Sequence, residues 1–236
     1  MPKRGHSTMV RITHWLTVMC FLALLVSGIE ILLSHPRFYW GEVGNVGMAP
    51  LFTLPLPASR ALVPTGYQFV LPDQNGWSRS LHFEAAWAVG LTGLAYVLSS
   101  LLGGHFRRNL LPGRDHLSLP SLSRSIAAHL KFQRPPESEA WSYNVLQRIA
   151  YTAVVFGLFP LAIWTGLAMS PAVAAGFPAI VATLGGQQSA RTIHFFVMIL
   201  LVLFVAVHVA MVILAGFGNR MRAMITGTVE DGKEQS

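Results

Sequence analysis

The chain has 236 residues, of which 53% are hydrophobic and only 11% charged, and it carries a formal net charge of +7. Soluble domains carry about 25% charged residues, so this composition excludes an ordinary soluble enzyme and points to a protein held in lipid. The sequence shows no aromatic-interleaved basic module for a nucleic acid, so anionic lipid head groups are the expected counterpart of the basic surplus.

Four apolar stretches, at about 12–33, 81–102, 145–169 and 193–217, are long enough to cross the roughly 30 Å hydrocarbon layer. The expected fold class is all-α and integral to the membrane: a four-transmembrane-helix bundle forming one membrane domain over 1–236. The first stretch follows Lys3 and Arg4 but is too long for a signal-peptide core, and no small-x-small cleavage site follows it. It reads as a retained helix. Cys20, the single cysteine, lies within it and excludes an internal disulfide, CxxC redox chemistry, c-type haem attachment and cysteine-ligated iron–sulfur clusters. The plain reading of Cys20 is a small buried apolar side chain.

The connection 34–80 is rich in Pro, Gly and aromatics, including Phe38, Tyr39, Trp40, Phe52, Tyr67, Phe69 and Trp77. Connections of this length are commonly functional, and the aromatics argue for an ordered lid at the membrane interface. A docking face for a partner outside the membrane and simple interfacial packing stand level. The second connection, 103–144, is basic, contains the helix-breaking LPGRDHLSLP, and has room for a short amphipathic piece at 119–132. The fourth crossing opens after the Gly-rich TLGGQQSAR and closes at AGFGNR, and the polar 226–236 segment is expected to be mobile. Thirteen of the 17 basic residues fall with the two termini and the 103–144 connection, against Arg37, Arg60, Arg79 and Arg191 on the other side. Both termini should therefore be cytoplasmic, with 34–80 a long periplasmic loop. The expected location is a bacterial inner membrane crossed several times.

Of nine histidines, four fall in or at the ends of the predicted crossings: His14, His82, His194 and His208. His194 and His208 are fourteen residues apart in one helix, which is nearly four full turns, so both project from the same face about 21 Å apart along the axis. Ligating groups at such depth usually mark a functional pathway. The topology puts His82 beside His194 near the outer face and His14 beside His208 near the inner face. Each pair offers two axial nitrogens, enough to fill both open positions of a haem iron, and the four together describe a stack of two haems. His6, His35, His105, His116 and His129 lie in tails or loops and read as surface residues. Met169 and Met198 are possible axial ligands by type, but the histidine pairing leaves no vacancy for them.

Three of the four histidines follow an arginine by three residues: Arg11–His14, Arg79–His82 and Arg191–His194. Residues i and i+3 share a helix face, so each arginine sits one turn nearer water, where haem propionates should emerge for guanidinium pairing. His208 lacks such an arginine, and Arg220 and Arg222 are candidates for that rim. Gly28, Gly93 and Gly166 sit where a haem would need space, although glycine also serves ordinary close packing in membranes. Glu30 and Glu84 are the only carboxylates within the predicted helices and are candidates for proton relay, against simple interfacial exposure.

No catalytic residue is expected, because with both axial sites filled the iron has no vacancy for a substrate. A competing class is a non-redox divalent-metal transporter using the histidines along one helix. Such sites need ligands clustered within a few ångströms, and transporters tend to have broken helices and repeated halves, which the sequence does not display. A stand-alone haem protein with no partner subunit, for example one oxidising superoxide, is the third reading.

RITHWL opening the first helix, the histidine that begins the second, TGLAM in the third and the two histidines spaced by fourteen in the fourth resemble the dihaem b-type cytochrome family. That family includes bacterial cytochrome b561, hydrogenase b-type cytochrome, and the cytochrome subunits of formate dehydrogenase and thiosulfate reductase. The resemblance covers about 11–217. It implies a four-helix cytochrome with two b haems in the respiratory chain that exchanges electrons with quinone and anchors a periplasmic oxidoreductase. It also implies ligation by His14, His82, His194 and His208. The long aromatic loop departs from shorter family members and favours a variant paired with a periplasmic molybdenum-cofactor enzyme. On that reading the chain is an electron-transfer subunit of a membrane-bound complex. The residues leave the side of the quinone site open.

Overall fold

The computed structural model describes residues 3–4, 7–45, 47–56, 76–103 and 145–229. Four of its helical spans are long and apolar enough to cross a membrane, and the all-α membrane class is the one the composition requires. The first two are α1 (Thr8–Ser34) and α2 (Trp77–Leu102). The third, Arg148–Met169, is composite: α3 (Val145–Ala153), a π-helical turn (Val154–Leu158) and α4 (Phe159–Met169). Short helices α5 (Pro171–Gly176) and α6 (Pro178–Ala182) lead into α7 (Gln187–Leu214), the fourth span, and α8 (Phe217–Thr226) follows. Two antiparallel ladders accompany them: β1 (Lys3–Arg4) with β4 (Thr228–Val229), and β2 (Arg37–Phe38) with β3 (Phe52–Thr53).

The helices begin earlier than apolar composition alone suggests, because backbone N–H groups find local acceptors there. Ser7 opens α1 by accepting from the Val10 N–H at 3.4 Å through its hydroxyl, and from the Arg11 N–H at 3.1 Å through its carbonyl. α7 starts at Gln187, six residues ahead of the predicted 193, and stops at Leu214 rather than 217. Gly216 then takes a left-handed φ of +96°, separating α7 from α8, and Gly227 at φ +76° ends α8 with its N–H on the Ala223 carbonyl. The π turn has a covalent cause. Pro160 has no N–H to give and its ring clashes with the carbonyl four residues back, so the ladder slips by one residue ahead of it. The uninterrupted third helix expected from the sequence is therefore interrupted once. The 119–132 piece, the 226–236 tail beyond Val229, and the 103–144 connection beyond Gly103 lie outside the described residues, as do His6, His105, His116 and His129.

The chain packs as two compact units. One comprises Met1–Leu16, Thr92–Gly157 and Leu201–Ser236, and the other Thr17–Leu91 and Leu158–Leu200. In the membrane helices of the second unit the described positions at 0% exposure are small or hydroxylic: Ser27, Thr165, Ala168, Ser189 and Ala190. Met19, Leu22, Trp87 and Leu91 are more than half exposed. Large apolar side chains outside and small ones inside is the arrangement a lipid solvent selects, since lipid replaces the hydrophobic drive and close backbone approach supplies the packing.

The described part of the first connection is ordered around the start of α7. Phe38 is 1% exposed and stacks on Phe52 (centroids 4.6 Å, planes 13° apart) and against Phe195 of α7 at 4.5 Å. Gly41, at φ +98°, offers its carbonyl to the Gln188 and Ser189 N–H groups at 2.9 and 3.2 Å, and the Glu42 carboxylate accepts from the Gln187 N–H at 3.3 Å. These acceptors serve the orphan N–H groups of the first turn, and the carboxylate also suits the positive end of the helix dipole. The Ser189 hydroxyl accepts from the Gly41 N–H at 2.8 Å, and the Thr192 hydroxyl donates to the Tyr39 carbonyl at 2.7 Å. Gly186 is the contact point: at φ +116°, a Cβ there would strike the Gly41 carbonyl and the Glu42 nitrogen. Gly186→Ala should therefore cost about 1–3 kcal/mol, seen as a lower thermal midpoint of the detergent-solubilised protein and faster proteolysis within 41–56. Gly47→Ala, where an added Cβ meets nothing within 4 Å, should leave both unchanged.

Candidate haem sites

The four predicted histidines meet in the two expected pairs, each contained within one compact unit. His82 of α2 and His194 of α7 lie with ring centroids 6.2 Å apart and planes at 62°. His14 of α1 and His208 of α7 lie 6.4 Å apart at 54°. Two imidazoles sharing one metal need about 2.0 Å from nitrogen to metal on each side and about 1.1 Å from nitrogen to ring centre, about 6.2 Å in all. Both pairs have that spacing. Among the described residues, no group of three or more His, Cys, Asp and Glu gathers as a metal cluster, so each site is a two-nitrogen arrangement, as the axial sites of a porphyrin iron require.

The His82–His194 pair is framed by hydroxyls and glycines. The Ser27 hydroxyl of α1 is 3.0 Å from His82 Nδ1, and the Thr165 hydroxyl of α4 is 2.8 Å from His194 Nδ1. A Cβ on Gly28 would come 3.5 Å from His82 Cε1, and one on Gly166 3.7 Å from His194 Cε1. These two glycines therefore border the ring edges. Gly93 does not: a Cβ there would meet nothing within 4 Å. Ser27 and Thr165 escaped the sequence reading, which noted the glycine of each dipeptide and passed over the hydroxyl before it.

The His14–His208 pair has an aromatic setting instead. Trp15 meets His14 edge-on at 5.3 Å, Phe204 stacks on His208 at 5.9 Å with planes 20° apart, and Tyr151 of α3 meets His208 edge-on at 6.2 Å. Trp15 Nε1 donates to the Met224 carbonyl at 3.2 Å, and the Arg11 guanidinium donates to the Ile225 carbonyl. Together they hold the last carbonyls of α8, where a cation also complements the helix dipole. Arg220 of α8 lies close enough to Tyr151 to act on it electrostatically.

The arginines one turn from the histidines do more than the spacing suggests. Arg191 donates to the carbonyls of His35 and of Arg37, the latter at 3.0 Å, and its guanidinium carbon sits 4.9 Å from the centre of the Phe38 ring. It thus binds the hairpin to α7 beside His194. His35 is half-buried, not the plain surface residue expected. Burial pushes its pKa below the ordinary histidine value, the Ile31 carbonyl at 3.3 Å opposes that shift, and the Arg191 and Arg79 cations reinforce it. A neutral His35 can accordingly share this corner with two guanidinium groups. Glu84 is exposed on α2 and Glu30 half-buried on α1.

A family profile described as prokaryotic cytochrome b561 matches residues 5–227. The curated protein named "Putative protein-methionine-sulfoxide reductase subunit YedZ1", from Azospira oryzae, is 30% identical over 222 residues, which is 94% of this chain and 96% of that relative. No solved structure matches the chain. The family match sets divalent-metal transport aside. The chain belongs to the prokaryotic cytochrome b561 family: it is a multi-pass b-type cytochrome of the bacterial inner membrane that binds haem and transfers electrons.

Proposed function

We propose that this cytochrome holds two b haems and passes electrons between the quinone pool and a periplasmic oxidoreductase that it anchors. The observation that carries the proposal is the presence of two separate histidine pairs, each at the spacing two imidazoles need around one iron. His82 and His194 would hold one haem and His14 and His208 the other. When bound, each haem supplies a one-electron iron couple whose axial positions are both taken, which suits electron transfer rather than substrate binding. Arg11, Arg79 and Arg191 would face the propionates, with Arg11 and Arg191 also tying α8 and the hairpin in place. The distribution of basic residues supports cytoplasmic termini, which would put His82–His194 on the periplasmic side. Glu30 and Glu84 remain the candidate carboxylates for proton exchange with quinone.

The curated relative is named as a subunit of a protein-methionine-sulfoxide reductase, and its match spans nearly the whole of both chains. That supports a partner enzyme over a stand-alone, superoxide-oxidising cytochrome. It also supports electron flow from quinol outward to a sulfoxide-reducing subunit, expected to be of the molybdenum-cofactor class. The hairpin fastened to α7 offers a face for such a subunit, with Trp40, Val43 and Leu51 more than half exposed.

Purified protein should carry two haems per chain by pyridine haemochrome, with b-type bands in the reduced-minus-oxidised spectrum. His194→Ala and His208→Ala should each lose one haem, and a different one. Retention of both haems in both variants overturns the ligand assignment. For the partner, Trp40→Glu combined with Leu51→Glu should keep haem content and lose copurifying sulfoxide reductase activity. Wild-type protein that copurifies with no oxidoreductase, yet is reduced by quinol, would instead favour the stand-alone cytochrome.

A further inference from the structure

Ser27 and Thr165 are fully buried, and a buried hydroxyl must place its proton on an acceptor. Ser27 Oγ lies 2.7 Å from the Ala23 carbonyl and 3.2 Å from that of Leu24. Thr165 Oγ1 lies 2.7 Å from the Leu161 carbonyl and 3.0 Å from that of Ala162. With Nε2 of each histidine taken as the iron-binding nitrogen, Nδ1 carries the hydrogen, so each hydroxyl accepts from the ring and gives its own proton back to a helix carbonyl. What the oxygen then presents to the neighbouring imidazole, 3.0 Å away at His82 and 2.8 Å away at His194, is a lone pair. Both hydroxyls thereby support the Nδ1–H tautomer that ligation through Nε2 requires.

The residue after each hydroxyl completes the arrangement. Gly28 and Gly166 lie beside the ring edges, where a Cβ would make ordinary van der Waals contact at 3.5 and 3.7 Å. A hydroxyl–glycine dipeptide therefore faces each of these two histidines from a helix that contributes no histidine to the pair. The same dipeptide recurs at Thr92–Gly93, where a Cβ on the glycine would meet nothing within 4 Å, so placement and not composition makes the cradle.

We infer that Ser27–Gly28 and Thr165–Gly166 are positioning elements for the axial ligands of a single haem, and that their two hydroxyls hold its reduction potential lower than the same histidines would give without them. The inference rests on His82 and His194 being ligands. An imidazole whose N–H is given to an acceptor is the more basic ligand at its other nitrogen, and a more basic ligand favours the oxidised iron. Neither hydroxyl contacts the iron or any reacting atom. The His14–His208 pair is set among Trp15, Phe204 and Tyr151 instead, so the effect should fall on one haem of the two.

The test uses the full chain in detergent, with Thr165→Val removing the hydroxyl at constant shape, Thr165→Ser retaining it, and Ser27→Ala. Haem per chain, the low-spin ferric EPR spectrum and a potentiometric titration of the α-band are read for each. Thr165→Val and Ser27→Ala should keep two haems and move one of the two potentials upward, while Thr165→Ser leaves it at the wild-type value. Unmoved potentials in both hydroxyl-free variants overturn the inference, as does Thr165→Ser behaving like Thr165→Val. Should Thr165→Val lose a haem outright, its retention in Thr165→Ser supports the hydroxyl's role and its loss there overturns it. Failure of the underlying ligand assignment is separately visible, as His82→Ala retaining both haems.

Discussion

An imidazole inside an apolar helix is tolerated only if both of its nitrogens have something to do, and that requirement organises the interior of this protein. Water is absent from the hydrocarbon layer, so each polar atom must be answered by the chain or by a bound group. At His82 and His194 one nitrogen is answered by a buried hydroxyl. The other is left for the partner across a gap of the width that a shared metal needs. Those hydroxyls are in turn answered by carbonyls one helical turn back. The chain of donors and acceptors closes without solvent, which is why Ser27 and Thr165 can be wholly buried where large apolar side chains face outward.

α7 bears the heaviest demands, since it carries a histidine in each compact unit and its first turn lies beyond the apolar run. Four N–H groups at a helix start have no intrahelical partner, and here the first connection supplies acceptors for three of them through Gly41 and Glu42. Arg191 and Thr192 return the attachment by donating to His35, Arg37 and Tyr39 carbonyls. The buried Phe38 ring lies between the Arg191 guanidinium and the phenylalanines of α7 and β3. The hairpin is thus fastened to the helix end through side chains within a few residues of His194. Anything that binds the exposed side of the hairpin is mechanically close to that histidine pair.

The two histidine pairs share their spacing and differ in their surroundings. One is framed by hydroxyls and glycines, the other by Trp15, Phe204 and Tyr151. Were both pairs to hold haem, as proposed, such differences would be a means of separating the two potentials, since the axial ligand type would be the same at both sites. Arg11 and Trp15 also fasten α8 through its last carbonyls, so the aromatic setting of His14 is tied to the placement of the segment after α7.

The amino-acid sequence alone determined the membrane class, the four crossings and the pairing of histidines by depth. These follow from properties one can count along a helix: apolar length against bilayer thickness, and a fourteen-residue interval close to a whole number of turns. The sequence did not determine the start of α7, because the acceptors that extend it back to Gln187 lie in the first connection, at Gly41 and Glu42. Nor did it reveal the tasks of Arg191 and His35, or the acceptor roles of Ser27 and Thr165. A serine or threonine in a membrane helix can always satisfy itself on its own carbonyls, so its identity says nothing about whether a lone pair is offered elsewhere. Only the packing of α1 against α2, and of α4 against α7, decides that, because it alone brings a ring nitrogen within 3 Å of the oxygen.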